Sequence, residues 1–79
     1  MTVVLRNNNS TLSVDQFEVY DNVADAALGV FTLKGGESKS IDIASDADGK
    51  GSVKIRNSDS RPDDWTQIDN IRLGDVISA

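Results

Sequence analysis

The segment Ile41-Asp42-Ile43-Ala44-Ser45-Asp46-Ala47-Asp48-Gly49-Lys50-Gly51-Ser52-Val53-Lys54-Ile55 decides the fold class. Two alternating runs, Ile41-x-Ile43 and Val53-x-Ile55, flank a loop rich in Ser, Asp and Gly. Successive side chains of a strand point to opposite faces, so each apolar pair lies on one face of a sheet. The Asp48-Gly49 and Lys50-Gly51 steps supply turn chemistry, and the spacing predicts an antiparallel hairpin. The register that keeps all four apolar residues inward pairs Ile43 with Val53 and Ile41 with Ile55, and sets Asp42 against Lys54 outside. A slip by one residue would bury both charges.

Outward from this segment the pattern repeats. Thr2–Asn7, Leu12–Tyr20, Leu28–Lys34 and Trp65–Leu73 read as further strands, and Val76-Ile77 as a short tail strand. Asn7–Ser10, Gly35–Glu37, Ser58–Asp64 and Gly74-Asp75 are rich in turn-forming residues. Asp21–Ala27 fits one helical turn with Asp21 or Asn22 as its N-cap. Short strands with turn signals roughly every 8–12 residues predict an all-β fold. The expected architecture is a compact antiparallel β-sandwich, Greek-key or jelly-roll-like, of six or seven short strands in a single domain over residues 1–79. Its expected core is Leu5, Phe17, Val19, Leu28, Ile41, Ile43, Val53, Ile55, Ile71 and Leu73, with Phe31, Trp65 and Val76 as additions. The first and last strands are the expected edges.

Antiparallel order sorts the loops between two ends. A near end collects Asn7–Thr11, Gly35–Glu37 and Ser58–Asp64. A far end collects Asp21–Ala27, Ala44–Gly51 and Gly74–Asp75.

Composition narrows the function classes. The chain has 79 residues, a net charge of −5, and neither cysteine nor histidine. A small domain without disulfides draws its stability from its core, a bound ion or oligomerisation, so a homo-oligomer is among the expected states. The acidic balance opposes binding to nucleic acid. No apolar run is long enough to span a bilayer, and the N-terminus has no signal-peptide pattern. Without His or Cys, the usual nucleophile–base pairs cannot form, and the expectation is a protein that is not an enzyme.

Three constellations suggest binding. Asp46-x-Asp48-Gly49-x-Gly51 resembles the start of an EF-hand calcium loop, in which alternate carboxylates surround a hard cation. Lys50 and Asn57 stand where that family places ligands, which excludes a true EF-hand. A looser calcium site on Asp46 and Asp48, joined by Asp21, Asp25 or Asp75, is the remaining expectation, against the ordinary use of Asp and Gly in a turn. Trp65, with Asp59, Arg61, Asp63, Asp64 and Asn8 expected around it at the near end, has the make-up of a sugar site. Its ring packs on C–H faces while the polar groups bond hydroxyls. Lys54, Arg56 and Arg72 point outward and either form a basic stripe or pair with acids on a solvated face.

Ile68-Asp69-Asn70-Ile71-Arg72-Leu73 resembles the last strand of jelly-roll carbohydrate-binding modules. The likeness covers a few residues of a chain much shorter than those modules. It implies a two-sheet sandwich that binds sugar through loops or a sheet face, sometimes with a structural calcium. The expected function is a non-catalytic binding module for carbohydrate. The alternatives are a structural or self-assembling protein that associates through a sheet edge or face, and a module that binds or inhibits a protein partner.

Overall fold

The structure, a computed structural model, describes residues 1–8, 14–57 and 64–78. Seven strands form, β1 (Thr2–Arg6), β2 (Val14–Asp21), β3 (Ala26–Lys34), β4 (Ser38–Asp42), β5 (Gly51–Asn57), β6 (Thr66–Ile71) and β7 (Val76–Ser78). They make two sheets, ordered β4-β1-β7 and β3-β2-β5-β6. Every pairing is antiparallel except β1 with β7, which is parallel. The fold is the expected all-β sandwich. Val3, Leu5, Ile41, Ile43 and Ile77 from the three-stranded side pack on Phe17, Val19, Leu33, Val53, Ile55 and Ile71 from the four-stranded side.

The founding segment is not a hairpin. β4 pairs with β1 and β5 with β2 and β6, so the two alternating runs belong to opposite sheets. All four apolar residues still point inward, but they meet across the core. Alternation fixes which face a side chain takes and leaves open which strand lies alongside. The connection over residues 43–50 has the length to cross the ~10 Å between stacked sheets. Met1 and Ile43 exchange backbone hydrogen bonds of 2.7 and 2.9 Å, extending the β1–β4 ladder. The chain then leaves that sheet, and the amide of Ala44 donates to the Asp21 carboxylate at 2.7 Å. Gly51 opens β5 close under the other sheet. A Cβ there would lie 2.5 Å from Ile43 Cδ1 and 2.8 Å from Met1 Cε, which explains the glycine. The expected Asp42–Lys54 pair is absent for the same reason. Asp42 instead accepts from the Thr2 hydroxyl at 2.8 Å.

Other expectations also change. Residues 22–25 form turns without a helix. Asp21 does act as a cap, its Oδ1 accepting the amides of Val23 and Ala24 at 3.0 and 3.1 Å. β1 is the centre of its sheet, not an edge. Leu73 and Val76 are 72% and 57% exposed, and Val3, Leu33 and Ile77 take core places. β6 also carries a bulge, since Gly51 pairs with Ile71 and Val53 with Ile68, setting two of its residues against Ser52. Asn70, at φ 58, turns the chain there, so Ile68 and Ile71 both face inward; β6 then ends at Ile71, and Leu73 is exposed in the turn that the Asp75 amide closes on the Arg72 carbonyl at 3.0 Å. Leu28 and Phe31 pack on the core only in part.

Candidate functional site

The loop sorting holds where it can be followed. At the near end Asn7 exchanges backbone bonds with Gly36 and Glu37 at 2.8 and 3.0 Å. At the far end Asn22 bonds Ser52, and Gly74 bonds Thr2. Asp59, Arg61 and Asp63 of the expected near-end sugar site lie outside the described residues. Asn8 is exposed beside the Gly35–Glu37 turn, and Asp64 is exposed beside Trp65 in sequence.

Trp65 is not a core residue. It precedes β6 and lies on the outer face of the four-stranded sheet. Buried Phe17, Val19, Val53 and Ile55 fix the inner face, so Glu18, Tyr20, Lys54 and Arg56, which alternate with them, face out. The Arg56 guanidinium stands 4.7 Å from the centre of the Trp65 ring and the Lys54 ammonium 5.0 Å.

Three rows cross β2, β5 and β6 on this face. In the first, Glu18 pairs opposite Arg56 in the β2–β5 ladder, accepting from its Nε at 3.1 Å and its Nη2 at 2.9 Å, and Arg56 leads on to Trp65. In the second, Tyr20 pairs opposite Lys54, whose ammonium lies 4.7 Å from the Tyr20 ring, and Lys54 pairs opposite Gln67. In the third, the Ser52 hydroxyl donates to Asp69 at 2.7 Å and accepts from the amide groups of Asn22 at 3.1 Å and Gln67 at 2.9 Å. Such cross-strand pairs contribute about 0.2–1 kcal/mol each and hold the exposed side chains in fixed positions. Beside these rows a shallow groove of about 130 Å³ runs past Glu18, Tyr20, Ala27, Gly29, Val30 and Trp65. Gly29 sits in the β2–β3 bulge at φ +123, with open space where a side chain would stand.

Two ionisable groups on this face are shifted. The hydrogen bonds from Gln67 and then Ser52 hold the Asp69 carboxyl below its ordinary 3.8. The Tyr20 hydroxyl donates to Asp25, which together with desolvation and the Asp25 charge raises the phenol above its ordinary 10.0. Because the folded value is the higher one, the contribution to stability is complete below the unfolded value and is lost as pH rises through the folded one. The chain has one tyrosine, so alkaline ultraviolet titration reads it directly. The expected midpoint lies above 10.0, and Asp25→Ala returns it toward the free-phenol value. A wild-type midpoint at or below the free value would refute the contact.

The Asp46–Asp48 loop uses the Asp46 carboxylate locally. Asp46 Oδ1 accepts the amides of Asp48 at 2.8 Å and Lys50 at 3.0 Å, an Asx turn that closes the tip. Asp48 is exposed. Of the residues expected to join them, Asp21 is taken up by three amides, Asp25 by Tyr20, and Asp75 by the amide of Arg72 at 2.8 Å. Among the described residues no three His, Cys, Asp or Glu side chains converge on one point. Nor does any helix among them have the length and apolarity to cross a membrane.

The sequence signals Trp65, Lys54 and Arg56 but not the constellation around them. Glu18, Tyr20, Asn22, Ser52, Gln67 and Asp69 become neighbours only through strand order. No protein-family model matches the chain, and neither a curated protein nor a solved structure is significantly similar to it.

Proposed function

We propose that this protein is a non-catalytic binding module that takes carbohydrate on the outer face of its four-stranded sheet, around Trp65. The observation that carries this reading is the half-buried Trp65 ring held outside the core, next to Tyr20 and above a shallow groove. Pyranose rings present C–H faces that pack on aromatic edges and planes, and hydroxyls that need both donors and acceptors. Gln67 and Lys54 provide donors here, and Glu18 and Asp69 provide acceptors. The cross-strand bonds fix their positions before a ligand arrives, which lowers the ordering cost of binding. The groove suits one or two sugar units lying along the sheet, with side chains held on strands.

The single tryptophan reports on this reading. Intrinsic fluorescence of a partly exposed indole is expected to be quenched by iodide and to shift when a glycan binds. A glycan array read with the whole protein should identify the sugar. Trp65→Ala is expected to reduce binding at least ~30-fold, about 2 kcal/mol. It should lower stability by only about 1–2 kcal/mol, through the two lost cation–ring contacts. An array without hits, or binding that survives Trp65→Ala, would sink the proposal.

A further inference from the structure

The groove beside Trp65 has one apolar wall and one open acceptor. Two rows of the four-stranded sheet continue onto β3, where Val30 pairs opposite Glu18 and Ala27 opposite Tyr20. Glu18 and Tyr20 face out, so Val30 and Ala27 do too, and both are exposed, Val30 at 56%. Between them the β2–β3 bulge sets Gly29, which adds no side chain, opposite Val19. Trp65 and Val30 therefore stand on either side of Glu18, and the groove between them is lined mostly by carbon. Glu18 is the one charged side chain in that lining. Arg56 bonds it twice through the same oxygen, Oε2, which fixes the carboxylate, while Oε1 accepts no bond among the described residues.

This lining selects among sugar substituents. A hydroxyl pressed on Val30, Ala27 and Gly29 would give up its water for carbon, which is unfavourable. A methyl group gains from the same contact. A wholly apolar substituent would displace water from Glu18 and leave Oε1 unmet. A methyl beside an N–H donor satisfies both, and a planar trans amide sets its N–H and its methyl on the same side. We infer that the groove takes the acetamido group of a 2-acetamido sugar, with the methyl on Val30, Ala27 and Gly29, the N–H donating to Glu18 Oε1, and the sugar ring on Trp65. This rests on the sugar reading of the face and narrows it from carbohydrate at large to N-acetylated sugars. The N–H bond is charge-assisted, because Arg56 holds Glu18 as a carboxylate through its other oxygen. A free amino sugar lacks the methyl, and a plain hexose sets a hydroxyl where the amide would be.

Three β-linked trisaccharides that differ only at C2 test this by titration of Trp65 fluorescence in the whole protein: the N-acetylglucosamine trimer, the glucosamine trimer and cellotriose. The acetylated trimer is expected to bind at least ~10-fold tighter than either of the others. The amino trimer is cationic and the protein carries −5, so what binding it shows should fall with salt while that of the acetylated trimer holds. Val30 is exposed, so Val30→Ser keeps the fold, as circular dichroism checks, and should lower the ratio of acetylated-trimer to cellotriose affinity at least ~3-fold. Cellotriose bound as tightly as the acetylated trimer, an amino trimer that matches it at high salt, or a ratio unmoved by Val30→Ser overturns the inference and leaves Trp65 as a site for another sugar. Array hits confined to glycans without an acetamido group do the same. An array with no hits removes the sugar reading itself, and this inference with it.

Discussion

Asp21→Ala is expected to be the most damaging single polar substitution in the described structure, lowering unfolding free energy by about 3–4 kcal/mol. Asp21 is 1% exposed, and its two carboxylate oxygens accept three backbone amides. Oδ1 holds Val23 and Ala24 and closes the turn between β2 and β3. Oδ2 holds Ala44, where the chain leaves the three-stranded sheet to cross to the other. One side chain thus ties a hairpin turn in one sheet to the crossover from the other. Charge-assisted bonds to backbone amides contribute roughly 1.5–3 kcal/mol each when buried, and removing the acceptor strands the Ala44 amide. Small domains hold only about 5–15 kcal/mol in total, so this loss would bring the chain near its folding limit. Asp21→Asn tests the cause. It keeps the volume and one oxygen but aims an NH₂ at an amide donor, and it should cost about 2 kcal/mol. Urea titration of both variants, repeated with calcium and with a chelator, checks the argument. A loss below about 1 kcal/mol for Asp21→Ala would show that the loops close without it.

The same residue shows where sequence reasoning reaches and where it stops. Alternation over Ile41–Ile55 placed all four apolar side chains inward, because inward or outward is a property of one strand. The choice of neighbouring strand is a property of two strands and of the connection between them. There the Asp-Gly vocabulary pointed to a hairpin, whereas the segment arches between sheets. Asp46 does close a turn, but within the arch, and nothing local shows that Asp21, more than twenty residues earlier, captures the departing Ala44 amide. Leu73 failed for a related reason: β6 ends at Ile71, so the alternation read through Leu73 stops before it, and Leu73 falls in the turn that leads to β7. Trp65 was legible as a candidate by its chemistry. Its setting was not, because Lys54 and Arg56 become its neighbours only when β6 pairs with β5. The described residues around it belong to a sheet face, while Asp59, Arg61 and Asp63 of the loop expected beside it lie outside the described residues. Tyr20 and Glu18 join that face from β2, two strands away.

At the opposite end of the sandwich Asn7 plays the part that Asp21 plays at the far end, and Asn7→Ala is expected to cost about 2–3 kcal/mol. Asn7 is fully buried just past the end of β1. Its side-chain amide donates to the Leu33 carbonyl at 3.0 Å and to Asp15 Oδ2 at 3.1 Å, reaching both β3 and β2. Its backbone meanwhile bonds Gly36 and Glu37 in the β3–β4 turn. One residue of the three-stranded sheet therefore fastens two strands of the other. Alanine would remove the side-chain donor from the Leu33 carbonyl at a buried site, where an unmet polar group costs more than a made bond contributes, and would also remove the bond to Asp15. Asn7→Asp separates hydrogen bonding from packing. It fills the same volume but turns acceptor oxygens toward a carbonyl and a carboxylate, so it should cost at least as much as alanine at neutral pH. If bulk alone mattered, Asp would be nearly neutral and Ala would not. Asn7 bonds Leu33 and Asp15 at one end and Asp21 bonds Val23, Ala24 and Ala44 at the other, so milder substitutions at the two sites should add within about 0.5 kcal/mol in chemical denaturation. A large positive coupling would mean that the ends communicate through the core, and that the sandwich is more cooperative than two independently fastened ends.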